Sequence, residues 1–289
     1  RGITQNFVGD AQVLSNIDSF QNIAQVSVFW WELDLLEEDV MVRLGKQDLN
    51  LEFLFIDMAA DFVQSTFGLS SSTAFPTFPD PSMGAVVLMR LTDSWRLKTG
   101  VWDAFASGGS WGFSGNDTLL VAGELEHSYA LSDGNLPGVI AVGAVYESAG
   151  TIEGSPISSI QEYYVQLEQW VMKEGQCVDE ELQGLGIFVG YYPRIPGRFT
   201  TLESVGDSLV AGAIYTGLIP SRNCDVLGIG VARTELFGGG TGRESVWELF
   251  YKARVTPRIC VQPDLQYIAS PSGVYSDSLV VGMRCELAW

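Results

Sequence analysis

The chain has 289 residues, 46% hydrophobic, 18% charged and 11% aromatic, and its 35 acidic and 16 basic side chains leave a formal net charge of −19. That charge excludes nucleic acid as a natural partner, and the lack of any run of 18 or more apolar residues excludes an ordinary helical membrane protein. The length suits two soluble domains or one large barrel, and no repeat or linker divides it.

Residues 1–20 read as a loop, with Gly9-Asp10 and Ser15-Asn16 as turn formers. In a first strand Ala24, Val26, Val28 and Trp30 alternate with Gln25, Ser27, Phe29 and Trp31, ending at an acidic turn from Leu33 to Asp39. The second strand sets Val40, Val42 and Leu44 against Arg43, Gly45 and Gln47. From Leu51 to Phe67 the rhythm breaks. Phe53, Leu54, Met58, Phe62 and Val63 fall at spacings nearer to helix than strand, and Ser-rich and Pro-rich sequence follows to Pro81. So long a connection among short turns is usually functional, and in a barrel its place is the mouth.

The alternation resumes at Gly84. Val87, Met89 and Leu91 oppose Arg90 and Thr92, and Leu97, Thr99 and Val101 oppose Arg96, Lys98 and Trp102. Next, Leu119, Val121 and Leu125 oppose Glu124, Glu126 and Ser128. Further strands fall at about 140–146, 163–168, 184–192, 208–218, 226–236, 246–255 and 259–268. The last puts Leu279, Val281, Met283, Cys285, Leu287 and Trp289 on one face and Gly282, Arg284, Glu286 and Ala288 on the other. A strand ending on an aromatic suits a lipid interface, where the indole sits at headgroup level. Turn lengths alternate short and long, as tight periplasmic turns and longer outer loops do. The expected fold is therefore all-β, a transmembrane antiparallel β-barrel forming one domain over 1–289. About 13 strands are visible, and since single-chain bacterial barrels have even numbers, roughly three leading strands are expected beyond this sequence.

The polar faces carry Arg43, Arg90, Arg96, Lys98, Lys252, Arg254 and Arg284 against Glu124, Glu126, Glu168, Glu248, Asp264 and Glu286, with Trp31, Trp102, Tyr164 and Trp170 among them. Opposed charge rows order water and offer hydrogen bonds of both polarities to a hydroxyl-rich solute. They would equally pair with one another simply to hold a wide lumen open. Lys46, Asp48 and Glu52 stand at the start of the long connection. Strict alternation turns Lys46 and Asp48 toward lipid unless they lie above the membrane edge or follow a bulge. A role in the pathway and a structural latch both fit them. Asp57, Asp61 and Gln64 would project into the lumen or cap the connection.

Of four cysteines, Cys260 and Cys285 fall on opposite faces of the last hairpin, which disfavours a bridge. Cys177 and Cys224 lie in two turns at the same end of the sheet and form the expected pair, with free thiols throughout as the alternative. No CxxC or Cys/His cluster points to a metal. The single histidine, His127, falls on the apolar face beside Leu125 and Tyr129, with no nucleophile constellation around it, so neither catalysis nor a cofactor is expected.

With these residues in view, the chain resembles the carbohydrate-selective, OprB-like porins of Gram-negative outer membranes. The likeness runs from Val8-Gly9-Asp10 and Ser15-Asn16-Ile17 through Arg43-Leu44-Gly45-Lys46-Gln47-Asp48, Glu52-Phe53, Phe67-Gly68, Pro79-Asp80-Pro81 and Gly217-Leu218-Ile219-Pro220. It ends at Val255-Thr256-Pro257, Gln262-Pro263-Asp264-Leu265-Gln266-Tyr267-Ile268 and the C-terminal strand. It implies a barrel of about sixteen strands whose third outer loop folds inward. Counting strands back from the C-terminus also makes residues 49–83 the third outer loop, hence the constriction loop. The implied function is passive diffusion of small carbohydrates through the outer membrane, lipid being the surrounding partner and a homotrimer a common assembly. The rivals are a general or cation-leaning porin, which the net charge favours, and a non-conducting structural barrel.

Overall fold

A single antiparallel meander of thirteen strands dominates the computed structural model, which describes residues 3–18, 24–69, 77–78, 80–104, 111, 118–132, 134–152, 155–157, 159–177, 182–195, 205–237 and 242–288. The strands are β1 (Phe29–Leu35), β2 (Val40–Gln47), β3 (Ser82–Arg90), β4 (Trp95–Asp103), β5 (Leu119–Leu131), β6 (Leu136–Glu147), β7 (Ile160–Gln176), β8 (Leu182–Tyr192), β9 (Val205–Thr216), β10 (Val226–Leu236), β11 (Gly242–Thr256), β12 (Ile259–Ala269) and β13 (Ser278–Leu287). Each pairs with the next, and β1 and β13 are the two edges among the described residues. Two residues, Arg194–Ile195, add to β7. No described helix is long and apolar enough to cross a membrane; the strands do that work, since every interior strand satisfies its backbone through its neighbours.

Alternation sorts the side chains as the sequence reading expects, with exceptions in β1. This strand starts at Phe29 rather than Ala24 and continues through Leu33 and Leu35, so the turn shrinks to residues 36–39. Trp31 pairs with Leu44, shares its outward face and is 81% exposed. The inward expectation for Trp31 fails because Glu32, ion-paired with Arg43 across the strands, fixes the other parity. Outward aromatics gather in two bands, Tyr146, Tyr163, Tyr191 and Tyr267 toward the long connections and Trp95, His127 and Tyr129 toward the short turns. Such girdles mark the two interfaces of a bilayer. His127 stacks on Trp95 with ring centroids 4.3 Å apart. The C-terminal Trp289 lies outside the described residues.

The inner face is less polar than the alternation implies. Residues 49–69 fold back inside the sheet as two 3₁₀ turns, Leu49–Leu51 and Asp57–Ala59, and a short helix, Ser65–Gly68. Their apolar side chains Phe53, Leu54, Ile56, Met58, Phe62 and Phe67 are buried against Val86, Trp102, Leu120, Phe188 and Phe250 of the wall. Phe62 stacks on Phe67 at 4.3 Å and meets Phe250 edge-on at 4.9 Å. Gly230 admits this cluster, because a Cβ there would lie 2.5 Å from the Phe67 ring. Burying each phenyl side chain is worth roughly 1.5–3 kcal/mol, which keeps the segment on the wall.

The N-terminal residues are lodged rather than free. One helical turn, Thr4–Val8, closes with the Gly9 amide donating to the Thr4 carbonyl at 2.7 Å. The chain then runs between the inner segment and strands β11–β13. Ala11 and Gln12 donate their amides to the Glu244 carboxylate at 2.8 and 2.9 Å, Gln266 Nε2 donates to Leu14 O at 3.0 Å, and Asn16 N donates to Val63 O at 2.8 Å. Burial first, and the nearby Glu244 carboxylate second, push the Asp10 carboxyl up to about 7. At the short-turn end a disulfide joins Cys177 to Cys224, tying the turn after β7 to the turn after β9 across the β8–β9 hairpin. Cys260 and Cys285 are free, and Cys260 sits opposite Glu286 rather than Cys285.

Two outcomes follow from these ties. Asp10 has a folded-state value above its usual 3.8, so the folded form keeps a proton that the unfolded form releases. Its contribution to holding the N-terminal segment is therefore lost as pH rises from about 4 to about 7, by ~4 kcal/mol at most. Hydrogen exchange across residues 9–16, corrected for intrinsic rates, will be slower at about pH 5 than at about pH 8, and Asp10→Asn will remove that difference. The disulfide closes a loop with a sequence separation of 47, worth up to about 4 kcal/mol in chain entropy. Reduction will lower the guanidinium unfolding midpoint of the native protein, and an unchanged midpoint would contradict the tie.

Candidate functional site

The inner segment is fixed by carboxylates that accept pairs of backbone amides. Glu168 of β7 takes Asp57 N at 3.1 Å and Met58 N at 2.7 Å; Glu248 of β11 takes Val63 N at 2.7 Å and Gln64 N at 2.9 Å. At the start of the connection Asp48 takes Asn50 N and Phe78 N, both at 2.8 Å, drawing the two ends of residues 48–78 together. Burial raises the Asp48 carboxyl, and these amides pull it partly back. Amides at the turns have no intrahelical partner, so a carboxylate satisfies two at once with charge-assisted bonds. Lys98 Nζ to Glu52 O, at 3.1 Å, and Gln262 Nε2 to Asp61 O, at 2.7 Å, complete the frame.

Held this way, the segment meets two groups of charged wall residues. In the first, Arg43 bonds Glu32 at 2.9 Å and Glu52 at 2.8 Å, Lys98 bonds Glu124 at 2.7 Å and Glu126 at 2.8 Å, and Arg96 bonds Glu126 at 3.2 Å. The antiparallel register sets Lys98 opposite Glu124 and Arg96 opposite Glu126, so these are direct cross-strand pairs. Tyr164 donates to Glu124 at 2.7 Å. A cavity of about 360 Å³ lies against this group, lined by Glu52, Arg96, Lys98, Glu124 and Glu126 and by the apolar Leu51 and Phe55 of the segment. In the second group Lys252 bonds Asp61 at 2.7 Å and Glu286 at 2.9 Å, while Arg284 donates to Asn16 Oδ1 at 2.6 Å. A cavity of about 450 Å³ beside it is lined by Asp61, Lys252, Arg254 and Glu286.

The candidate residues thus divide by position. Arg43, Glu52, Arg96, Lys98, Glu124 and Glu126 come together, and so do Lys252, Arg284 and Glu286, with Arg254 farther toward the short turns. Arg90 does not join either group: it pairs with Asp39 at 2.6 Å on the exposed short-turn rim. Trp102 is 1% exposed beneath Phe53, edge-on at 5.6 Å, and supports the segment instead of lining open space. Lys46 is likewise covered at 1% exposure, its ammonium donating to Gln25 Oε1 at 3.0 Å and lying 5.9 Å from the Trp111 ring. Gly45 beside it has a φ of 147°, and any Cβ there would strike the Phe29 carbonyl and Trp30 Cα. Asp48 is the latch already described, and Gln64 is fully buried, capping Thr66 N and donating to Gln12 O. Sequence reading missed Glu32, Glu244 and the N-terminal segment as parts of this assembly. The one local signal for Glu244 is that it shares the inner face of β11 with Glu248, four residues on.

No curated protein matches this chain. Its fold is similar to the high-pH structure of OprB from Pseudomonas putida, with a TM-score of 0.81 at 19% identity over 99% of this chain and 80% of that one. The low-pH structure of the same protein gives 0.61 at 19% identity, covering 91% and 67%. OccK11 (OpdR) from Pseudomonas aeruginosa gives 0.53 at 10% identity, covering 88% and 67%. The family described as carbohydrate-selective porin, OprB family, matches residues 1–288, and the chain belongs to it.

Proposed function

We propose that sugars cross this outer-membrane channel between the polar edge of the inner segment and the two ion-paired wall groups, and that residues 49–83 form its constriction loop within one barrel domain. The chain is a passive, carbohydrate-selective channel of a Gram-negative outer membrane; the residue roles are the proposal. The observation that carries it is the amide clamping by Glu168 and Glu248, which brings Glu52 to Arg43 and Asp61 to Lys252. A neutral sugar needs donors and acceptors close together and some apolar surface for its ring faces. Arg96 and Lys98 donate, Glu52, held by Arg43, and Glu126 accept, and Phe55, 43% exposed, adds the apolar surface. Internal pairing keeps the rows in place, and a passing hydroxyl exchanges with water at their open edges. Native mass separates a monomer from a homotrimer.

A general, cation-leaning porin has one observation in its favour, the net charge of −19 with Asp57 and Asp61 on the inner segment. Planar-bilayer recording of the native protein separates the readings. Saturable block of an open channel by glucose or maltodextrins supports the sugar pathway, and Arg43→Gln with Glu52→Gln will raise the half-blocking concentration about tenfold by removing charged partners. Cation-selective current without sugar block favours the general porin. A folded, inserted protein without current would leave a structural barrel.

A further inference from the structure

A larger cavity, about 550 Å³, lies between the inner segment and strands β6–β10, away from both sheet edges and bordering each charged group, the first through Asp57 and Glu168 and the second through Asp61. Its volume is within the range of small-molecule sites, about 300–1,000 Å³. The segment supplies Asp57, Met58 and Asp61; the wall supplies Glu168, Trp170 and Thr216. Apart from Glu168 at the middle of β7, the wall residues come from the short-turn halves of their strands, which places the cavity toward the side of the segment that is periplasmic in porins.

Its lining chemistry is one-sided. Three carboxylates face the cavity and no lysine, arginine or histidine lines it. Glu168 spends one acceptor site of each oxygen on the segment's amides and keeps others free. Asp61 is neutralised by Lys252, whereas Asp57 forms no ion pair among the described residues. Trp170 is partly buried, steadied by the apolar cluster while it lines the cavity. A fixed indole beside hydroxyl acceptors matches a pyranose, whose C–H face is apolar and whose rim donates. Through Asp57, Val139 and Glu168 the cavity continues into the 360 Å³ cavity. There Gln166, 3% exposed, donates Nε2 to the Tyr192 hydroxyl at 2.9 Å and leaves Oε1 without a partner among the described residues.

We propose that this cavity is a saccharide-binding site on the periplasmic side of the inner segment, in which one ring packs on Trp170, and that it holds cationic amino sugars more tightly than neutral sugars of the same size. The ammonium gains from Asp57 and Glu168, the third carboxylate, Asp61, being already paired with Lys252, and from the indole π-face. This rests on the sugar-channel reading and adds to it a second station with its own preference.

The test is sugar block in planar bilayers, with glucose and protonated glucosamine each added to both sides, on wild type, Trp170→Ala, Trp170→Phe and Asp57→Asn. Wild type will be half-blocked at a lower concentration of glucosamine than of glucose. Trp170→Ala will raise both constants about tenfold, Trp170→Phe will recover most of that, and Asp57→Asn will raise the glucosamine constant about threefold with little change for glucose. If Trp170→Ala does not insert, Trp170→Leu, which keeps bulk without an aromatic face, serves in its place. Sugar block that persists with wild-type constants in the Trp170 variants overturns the site while the channel stands. Equal constants for the two sugars in wild type overturn the amino-sugar preference. An open wild-type channel that no sugar blocks overturns the sugar-channel reading and the site with it.

Discussion

A carboxylate that accepts two neighbouring backbone amides is the bond on which the interior depends. Glu168 and Glu248 hold the inner segment in this way, Glu244 holds the N-terminal residues and Ser272 N, and Asp48 draws the two ends of residues 48–78 together. An irregular segment inside a barrel cannot borrow hydrogen bonds from the sheet, whose own groups are spent on neighbouring strands. Short acidic side chains on the inner face bridge that gap. They recover with charge-assisted bonds the cost of their own burial, a balance that holds only while the geometry is good.

The rest of the lumen follows from this anchoring. The segment's apolar face covers the apolar part of the wall around Phe188 and Phe250, and its polar edge is left facing the charged strands. Register then decides which charges meet, since Lys98 lies opposite Glu124 and Arg96 opposite Glu126. The pathway proposed here is consequently lined by pairs already satisfied within the protein. Such a surface gives a solute many weak, replaceable contacts and few strong ones, which suits passage more than retention.

Much of the fold is legible because lipid and water impose a period of two on every strand, and the thirteen strands fall where that period is clean. It misleads where both faces of a stretch look alike, as in β1, where only the Glu32–Arg43 pair settles that Trp31 faces out. Trp102 reads as lumen surface because alternation reports the face of a residue and not what covers it. Lys46 is hidden for the same reason, its cover coming from Gln25 and Trp111. Turn adjacency singles out Cys177 and Cys224 as the pair, while the choice between a bond and free thiols comes only from the structure. The lodging of the N-terminal segment is not, because its partners Glu244 and Gln266 lie more than 230 residues away in the chain and no local pattern encodes so distant a contact.

The most direct test of the clamp is the single-channel conductance of a Glu168→Ala, Glu248→Ala double variant beside wild type. Each alanine leaves two segment amides without their partner, a loss of about 1–3 kcal/mol per unpaired group, so the account predicts a larger and noisier conductance as the segment leaves the wall. A double variant that inserts and conducts like wild type would contradict it, because the inner segment would then be held by something other than these carboxylates.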